Sequence, residues 1–347
     1  MANFAKQRWF FCVLGLASTA LPARADLLTN WNVVTTGDLY AASDAQGPVR
    51  VGGNLYVQNS FEVAAKQGSP TSSNPSLVVG GDVKTKRNNA ETVKVLQGDA
   101  VIGGTINGAS NDKARIVSTR DGGAVKMDSS VSGIGAADAK ELQADSLAFH
   151  AMEATKQAIY IPTAQVDTAV FTVLSVNADG NAVFNIDDAK LFNDSNIRGF
   201  ALDLNGFKFG EGQSVVFNVG GSQIDFHSGL NFDGAFRTSV SNIIWNFYDA
   251  KQIDLNRNNF AGALLASEAV LTDANVMAGS VFVGSFGTTY GNGMGAEVQA
   301  PMYLGYDPSN PPAKIASAST PEPSSLAMAG LAVMAGVATR ARRRRAS

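Results

Sequence analysis

A degenerate repeat in the first half of the chain constrains its fold more than any other feature. Three segments share an aliphatic residue, two glycines, a small polar residue and a second aliphatic residue: VGGNL at 51–55, VGGDV at 79–83 and IGGTI at 102–106. Their starts lie 28 and 23 residues apart, a spacing typical of units that bury their apolar face by stacking on neighbours. The repeat therefore predicts coils of a β-solenoid.

The paired glycines suit the corners of such coils for two reasons. Glycine adopts a positive φ without strain, and its missing side chain lets adjacent coils approach closely. The alternative is that the triplets are hairpin turns in a chain that contains 35 glycines. The sequence favours the solenoid and leaves the hairpins open.

The chain between its two ends has the texture of an all-β domain. Short runs rich in Val, Ile, Leu and Phe alternate with polar residues and are separated by Gly, Asn and Asp. We expect one large domain over residues 26–305, with strands in the segments 49–57, 77–83, 172–176, 182–186, 214–219 and 281–283.

The segment 136–159 breaks this texture, because it contains no Gly or Pro and much Ala. Its periodicity predicts one long helix with an apolar arc formed by Leu142, Phe149, Met152 and Ile159. Asp145 and Lys156 fall on the same arc, so we expect the helix to pack along the side of the sheet domain.

The last 27 residues have three parts in order: the motif Pro321-Glu322-Pro323, an apolar stretch over 324–339, and a basic end with Arg340, Arg342, Arg343, Arg344 and Arg345. The 16 apolar residues would span about 24 Å as a helix, against the roughly 30 Å core of a bilayer. A stretch of this length suits transient insertion, with the arginines holding the terminus in the cytoplasm.

This three-part tail resembles the PEP-CTERM sorting signal of Gram-negative bacteria. The resemblance covers residues 321–347 and implies recognition by an exosortase, cleavage near the motif, and release or attachment at the outer surface. Residues 306–320, which lie between the domain and the tail, contain three prolines and predict an extended linker.

The N-terminal end also predicts export. Residues 1–25 have the parts of a leader: the basic residues Lys6 and Arg8, an apolar core over 9–20, and the small-x-small sequence Ala23-Arg24-Ala25. Signal peptidase cuts after such a sequence, so we expect the mature chain to begin at Asp26. Cys12, the single cysteine, lies inside this leader, and the exported chain therefore contains no disulfide.

The net charge of the chain changes when both ends are set aside. The formal net charge of −3 becomes −10, because 19 basic and 29 acidic residues remain. An acidic body is ill suited to nucleic acid, whose affinity depends on phosphate neutralisation by Lys and Arg.

The order of segments resembles the choice-of-anchor A family of extracellular domains. The resemblance is carried by LTNWNVV at 28–34, NIIWNF at 242–247, FAGALLA at 260–266 and NVMAGSVFV at 275–283, together with the repeats and the central helix. It implies an adhesin-like β-helix with a helix alongside, similar in outline to ice-binding domains. It assigns no catalytic residues.

Candidates for catalysis and metal binding are few. His150 and His227 have neither a second His nor a Cys at zinc-ligand spacing, and no nucleophile motif accompanies them. Asp187, Asp188 and Asp194 place several carboxylates in one short stretch, which calcium prefers, although the spacing matches neither an EF-hand loop nor the nine-residue calcium repeat of RTX solenoids. We therefore expect no enzyme and no resident cofactor, with calcium at this stretch as the one candidate ligand.

Binding of a glycan would use exposed aromatic side chains, and the sequence offers Tyr40, Tyr56, Trp31 and Trp245 as candidates without showing a platform. A regular Thr-x-Thr ladder typical of ice-binding solenoids is missing from the sequence. The prediction is an exported, adhesin-like β-solenoid, processed by signal peptidase and an exosortase, that acts at the cell surface with exopolysaccharide or in a biofilm. The alternatives are a carbohydrate-active β-helix enzyme and a structural or ice-interacting matrix protein.

Overall fold

The computed structural model describes residues 26–65, 75–86, 92–107, 117–120, 122–163, 165–295 and 297–311. The predicted leader and the predicted sorting tail, including its apolar helix, lie outside these ranges. In the described residues the chain is mostly β and forms a stack of parallel coils with three faces. The predicted solenoid class is therefore confirmed.

The first face, here called the helix-covered face, carries ten paired strands in the described residues. In spatial order they are Ala182–Ile186, Val215–Val219, Ile243–Asn246, the first half of Ala263–Thr272, the first half of Val281–Phe286, Val33–Thr35, Val49–Val51, Leu77–Val79, Ala100–Ile102 and Val125–Met127.

The second face, here called the tyrosine face, is formed by the next strand of each coil. In the same spatial order these are Gln223–Asp225, Gln252–Asp254, the second halves of Ala263–Thr272 and Val281–Phe286, then Leu39–Ala41, Leu55–Val57, Val83–Thr85 and Ile106–Asn107.

The third face is divided into shorter sheets. One contains Gln157–Tyr160, Asp167–Val173, Ile197–Asp203 and Asn231–Gly234, a second contains Phe260–Ala261, Met277–Ala278 and Val298–Gln299, and a third contains Phe61–Val63, Val93–Val95 and Val117–Thr119. Ala45 bridges both Val63 and Val298 and so joins the last two. Short helical turns lie at Leu27–Asn30, Ser129–Val131, Ala189–Asn193, Ala235–Thr238 and Val240–Asn242.

The coils follow one another in space in a different order from the sequence. Strand Val33–Thr35 lies in the middle of the helix-covered face, where it pairs with Val49–Val51 on one side and with Val281–Phe286 on the other. The later strands of the first half of the chain are added in sequence order on one side of Val33–Thr35. The strands of the second half begin at the opposite end of the face, at Ala182–Ile186, and reach Val33–Thr35 from its other side.

The glycine repeats form the corners between the helix-covered face and the tyrosine face, so segment 49–57 is two strands rather than one. None of the six repeat glycines has a positive φ, and that part of the prediction is wrong. The close approach is confirmed, because a Cβ on Gly52 would lie 2.3 Å from the Thr36 carbonyl oxygen. A Cβ on Gly80 or Gly103 would lie 2.5 Å from the carbonyl oxygen of the corner glycine below.

The small polar residue of each repeat joins one coil to the next. The backbone N–H of Asn54 donates to Asp38 Oδ1 at 2.7 Å, that of Asp82 donates to Asn54 Oδ1 at 3.0 Å, and that of Thr105 donates to Asp82 Oδ1 at 2.7 Å. The bonds from Thr105 also hold the pKa of Asp82 below its usual value. A side-chain ladder therefore runs along this corner beside the backbone ladders.

The long helix covers Ile134–His150, which is shorter than the predicted 136–159. Ile159 belongs instead to strand Gln157–Tyr160, which pairs with Asp167–Val173. The helical prediction was wrong there because sheet pairing of Ile159 and Tyr160 overrides local helix propensity. In the described part of the chain no helix has the length and apolarity needed to cross a membrane.

The helix lies along the helix-covered face and contacts coils from both halves of the chain. Leu142 and Phe149 are fully buried there, as the predicted arc requires, in a cluster that includes Val34 and Phe282. At about 1.5 Å per residue the 17 residues span about 25 Å, which equals roughly five coils at about 4.8 Å each. The helix therefore packs across the boundary between the two halves of the chain and stabilises their association.

Two kinds of polar contact fix the helix. Toward its beginning, Arg50 donates from Nε and Nη2 to Asp138 at 2.6 and 3.0 Å. Toward its end, Asn246 Nδ2 donates to the Ser146 carbonyl oxygen at 2.9 Å, and Asn218 Nδ2 donates to the Phe149 carbonyl oxygen at 2.9 Å. Each group is buried or half-buried, so the polar atoms are paired as such positions require.

Candidate functional site

Tyr40 and Tyr56 occupy matching positions on the tyrosine face. Leu39, Leu55 and Val83 point into the core, so the next residue of each strand points outward. The outward row runs through Tyr40, Tyr56, Lys84 and Asn107, which are direct neighbours across the parallel strands. The register therefore stacks the two tyrosine rings, whose centroids lie 4.4 Å apart at an interplanar angle of 5°.

A third tyrosine reaches this pair from the loop that follows strand Val281–Phe286. The ring of Tyr290 stands edge-on to Tyr40 and Tyr56, with centroid distances of 5.6 and 5.9 Å. The loop is held by backbone bonds, since Met294 N donates to the Tyr40 carbonyl oxygen at 2.8 Å and Ala42 N donates to the Met294 carbonyl oxygen at 3.1 Å. A Cβ on Gly293 would lie 2.2 Å from the same Tyr40 oxygen, so glycine permits this approach.

Two lysines border the cluster. Lys84 Nζ lies 5.2 Å from the Tyr56 ring centroid, and Lys86 Nζ lies 5.5 Å from that of Tyr290, distances that allow cation–π attraction. Lys84 also pairs with Asp82 at 3.5 Å.

Partial burial raises the pKa of the Tyr40 hydroxyl, with Tyr56 and Asp38 acting in the same direction. The Tyr40 hydroxyl therefore stays protonated at ordinary pH.

A cavity of about 260 Å³ lies beside this cluster. Tyr40 and Tyr290 form part of its wall, and Gln58 and Asn59 contribute amide groups. A larger cavity of about 440 Å³ lies on the third face, but its phenyl rings, Phe232 and Phe260, are buried in the core. The smaller cavity is thus the one that combines half-exposed aromatic rings with polar groups.

The other two aromatic candidates are part of the interior. Trp245 is fully buried among phenylalanines, and its Nε1 donates to the Ala261 carbonyl oxygen at 3.1 Å. Trp31 is 8% exposed and lies against the guanidinium of Arg50. The structure therefore brings Tyr40 and Tyr56 together and keeps both tryptophans away from the surface.

The predicted calcium residues lie on and beside the short turn Ala189–Asn193. Asp188 accepts a bond from Lys190 N at 3.0 Å, and Asp194 accepts one from Asn196 N at 2.9 Å. In these contacts the carboxylates cap their own turns. Among the residues with described positions, no group of three or more His, Cys, Asp or Glu is arranged to hold a metal ion; calcium binding by Asp187, Asp188 and Asp194 remains a prediction.

The two histidines lie in different surroundings. His150 ends the long helix and stacks on Tyr248, with ring centroids 3.8 Å apart. His227 lies with Nε2 2.5 Å from the Ile197 carbonyl oxygen and Nδ1 2.9 Å from that of Ser228. The described contacts of the two histidines are thus a ring stack on Tyr248 and approaches to two backbone carbonyl oxygens.

The sequence also carried a signal that would have located the tyrosine pair. Tyr40 follows Gly37-Asp38-Leu39 and Tyr56 follows Gly53-Asn54-Leu55, which is the same position of the same repeat. Aligning the repeats would therefore have placed the two rings side by side. Tyr290 has no such signal, because its loop is outside the repeats and reaches the cluster from more than 230 residues away.

These features define the class of the protein as a parallel β-solenoid with a helix along one face. The chain belongs to the family described as a putative ice-binding-like adhesive domain, whose model matches residues 24–296. The PEP-CTERM protein-sorting motif matches residues 319–344. The resemblance to choice-of-anchor A domains is compatible with both matches.

Comparison with curated proteins and with solved structures finds no match. The two family matches describe adhesion and sorting rather than a class of enzyme. The sorting motif indicates export to the cell surface of a Gram-negative bacterium and processing by an exosortase. The protein is therefore an exported surface protein with an adhesive-type domain.

Proposed function

We propose that this protein is a non-catalytic adhesin that binds exopolysaccharide at the cell surface or in a biofilm matrix. The observation that carries the proposal is the tyrosine cluster, in which Tyr40, Tyr56 and Tyr290 form an aromatic surface on a face of the solenoid. Aromatic side chains offer a large apolar area together with a polar hydroxyl, a combination suited to surfaces with alternating apolar and polar groups. Sugar rings have such surfaces.

The rigid fold supports this role. The tyrosine face is part of one continuous parallel sheet, and the side chains of its outward row are positioned by strand register rather than by loops. A preformed surface loses less conformational entropy on binding than a flexible one. The solenoid therefore offers a fixed surface to a long polymer.

The match to an ice-binding-like family supports a second candidate, an ice-interacting matrix protein. The outward positions in register with Tyr40 argue against it, since they carry Tyr56, Lys84 and Asn107 on one side and Thr272, Asp254 and Asp225 on the other. Such a row mixes charge, size and shape. A flat surface of small, regularly spaced hydroxyl groups is not formed by these strands.

The test of adhesion uses the protein recovered from its native host and exopolysaccharide purified from the same host. We expect the protein to sediment with the polymer, to leave the molecular mass of the polymer unchanged, and to ignore double-stranded DNA as a control polymer. A fall in polymer mass would favour the enzyme alternative. Thermal hysteresis without retention on the polymer would favour the ice alternative. The absence of both retention and hysteresis would contradict adhesion.

Maturation is a separate prediction with its own test. Intact mass spectrometry of the native protein should find a chain that starts at Asp26 and ends near Pro321. Replacing Pro321, Glu322 and Pro323 with alanine should leave the start unchanged and retain the tail to Ser347. A wild-type terminus in that variant would contradict processing at the motif, and would leave adhesion untouched.

A further inference from the structure

The cavity beside the tyrosine cluster has the lining of a small polar ligand site. Tyr40 and Tyr290 contribute ring surface, while Gln58 and Asn59 contribute amides that both donate and accept hydrogen bonds. Among the described residues that line it, none is charged. Pockets for small molecules combine apolar or aromatic walls with a few polar groups in this way.

Gln58 provides an observation that points to a ligand. The amide of its backbone donates to the Ala41 carbonyl oxygen at 2.9 Å, which fixes the residue at the end of strand Leu55–Val57. Its side-chain Oε1 is buried and accepts no hydrogen bond within the described part of the protein. A buried acceptor without a donor costs free energy, so a donor supplied by a ligand would remove that cost.

The loop leaves room for such a ligand. Gly291, Gly293 and Gly295 line the cavity and place no side chain in it. A Cβ built on Gly291 meets no described atom within 4 Å, whereas one on Gly293 would meet the Tyr40 carbonyl oxygen. The glycine at 293 is thus required by the loop packing, and the glycine at 291 leaves open space.

The size and charge of the cavity select among ligands. Its volume of about 260 Å³ is just below the roughly 300–1,000 Å³ of pockets for drug-sized molecules, which suits one sugar ring rather than an oligomer. A hexose has hydroxyl groups that donate and accept, matching two amides, and an apolar ring face, matching a phenol ring. An uncharged lining gives no counter-ion to a carboxylate or phosphate.

We propose that this cavity binds one neutral hexopyranose unit of a polysaccharide, with the Gln58 side chain turning so that Oε1 accepts from a hydroxyl group, and with the sugar ring against Tyr40 and Tyr290. The inference rests on the proposed adhesion, because it names the unit of the polymer that the tyrosine face holds. The outward row from Tyr56 to Asn107 continues from the cavity along the stack and gives the neighbouring units a path. The described lining contains no carboxylate, the group that glycoside hydrolysis requires in pairs, so the site holds the chain without cutting it.

Two substitutions test the site in the full, host-exported protein. Gln58→Leu removes the amide and keeps the volume, and Gly291→Leu adds a side chain to the cavity lining at a position where a Cβ meets no described atom. We expect each to weaken sedimentation with the host exopolysaccharide about tenfold or more. Gln97→Leu is the matched control, because Gln97 Oε1 is also buried without a described donor but does not line this cavity.

Competition with free monosaccharides identifies which sugar unit the cavity binds. Glucose, galactose and mannose are added singly to the wild-type complex, with glucuronic acid as the charged comparison, and we expect a neutral hexose to displace the polymer. Thermal melts check that each variant keeps its fold. If Gln58→Leu and Gly291→Leu bind like Gln97→Leu, the site is refuted while adhesion stands. If glucuronic acid alone competes, the neutral ligand is refuted, and if the wild type does not bind the polymer, both proposals fall.

Discussion

The two halves of the solenoid share one sheet but are filled with different side chains. Between Val33 and Met127 the strands of the helix-covered face are three residues long, and the core consists mainly of Val, Leu and Ile. Between Ala182 and Asn246 the strands of the same face have four or five residues, and Ala263–Thr272 and Val281–Phe286 continue from this face onto the tyrosine face. There the core is aromatic, with Phe171, Phe184, Phe192, Phe200, Phe217, Phe232, Phe236, Trp245 and Phe260 in mutual contact.

The difference shows how one fold accommodates two cross-sections. Short strands with glycine corners enclose a narrow interior that aliphatic side chains fill, whereas longer strands enclose a wider one. Protein interiors are packed to nearly constant density, so the wider coils require larger side chains. The halves meet where Val33–Thr35 pairs with Val281–Phe286, and the backbone ladder continues across the change.

The aromatic core should be the more sensitive of the two to truncation. Trp245 stacks on Phe217 at 4.1 Å and contacts six further phenylalanine rings. We expect Trp245→Ala to lower the free energy of unfolding by about 3–5 kcal/mol and Leu55→Ala, in the narrow half, by about 2–3 kcal/mol. Chemical denaturation should show one shared transition for both variants. Two separate transitions would mean that the halves are independent units.

The helix is held by an ion pair in one half and by amides in the other, and this contrast gives the next prediction. The side chain of Asp138 is only 2% exposed, so Arg50→Met leaves its buried charge without a partner. We expect this variant to lower the free energy of unfolding by about 3 kcal/mol. Asn246→Ala breaks hydrogen bonds to Ser146 and should cost roughly 1–3 kcal/mol. Asp138→Asn is the control. The charge that it leaves without a partner is that of Arg50, whose side chain is 16% exposed, so we expect a smaller loss of stability. Equal losses for Arg50→Met and Asp138→Asn would contradict the burial argument.

The narrow half was the part that the sequence could predict. Its repeats combine a glycine pair with Asn54, Asp82 or Thr105, and both features have a local physical cause, the close coil contact and the side-chain ladder. The wide half has a different repeat, in which Phe184-Asn185, Phe217-Asn218 and Trp245-Asn246 pair in register, and the sequence prediction did not use it. The pairing of Val33 with Val281 joins residues 248 apart and has no local signal. The same limit applies to the site, where the repeats hold Tyr40 and Tyr56 but not Tyr290.

Substitution of corner glycines should lower the stability by a smaller amount, and this amount should also differ between the two halves. A Cβ on Gly52 would meet two backbone atoms, the Thr36 carbonyl oxygen at 2.3 Å and Gly135 Cα at 2.4 Å. In the wide half a Cβ on Gly220 would meet the Tyr248 hydroxyl at 2.6 Å, which is the end of a movable side chain. We expect Gly52→Ala to cost about 1–3 kcal/mol and Gly220→Ala less. Thermal unfolding of the two variants measures the difference, and a larger loss for Gly220→Ala would reverse the interpretation.

The smallest effect concerns the two ends of the described domain, where Asp26 meets Asp307. A hydrogen bond with Asp307 is the main cause that raises the pKa of Asp26 to about 6, and partial burial and the charges of Asp307 and Glu141 add to it. Asp307 Oδ1 accepts bonds from Ser309 N and Oγ at 2.8 Å, while Oδ2 is buried with no donor other than a protonated Asp26 among the described groups. The folded chain therefore holds a proton that the unfolded chain releases near pH 3.8.

Because the folded state binds this proton more tightly, the contribution of Asp26 to stability is complete below about pH 4 and is lost as the pH rises through about 6. Asp82 and Asp99, whose pKa values are lowered, act with the opposite sign and at pH values below 3.8. We expect Asp307→Asn to remove the decline between pH 4 and 7, since its amide can donate to an ionised Asp26. Melting temperatures of both proteins across this range isolate the effect, because the other groups cancel in the difference. Parallel curves would show that the two carboxyl groups do not share a proton.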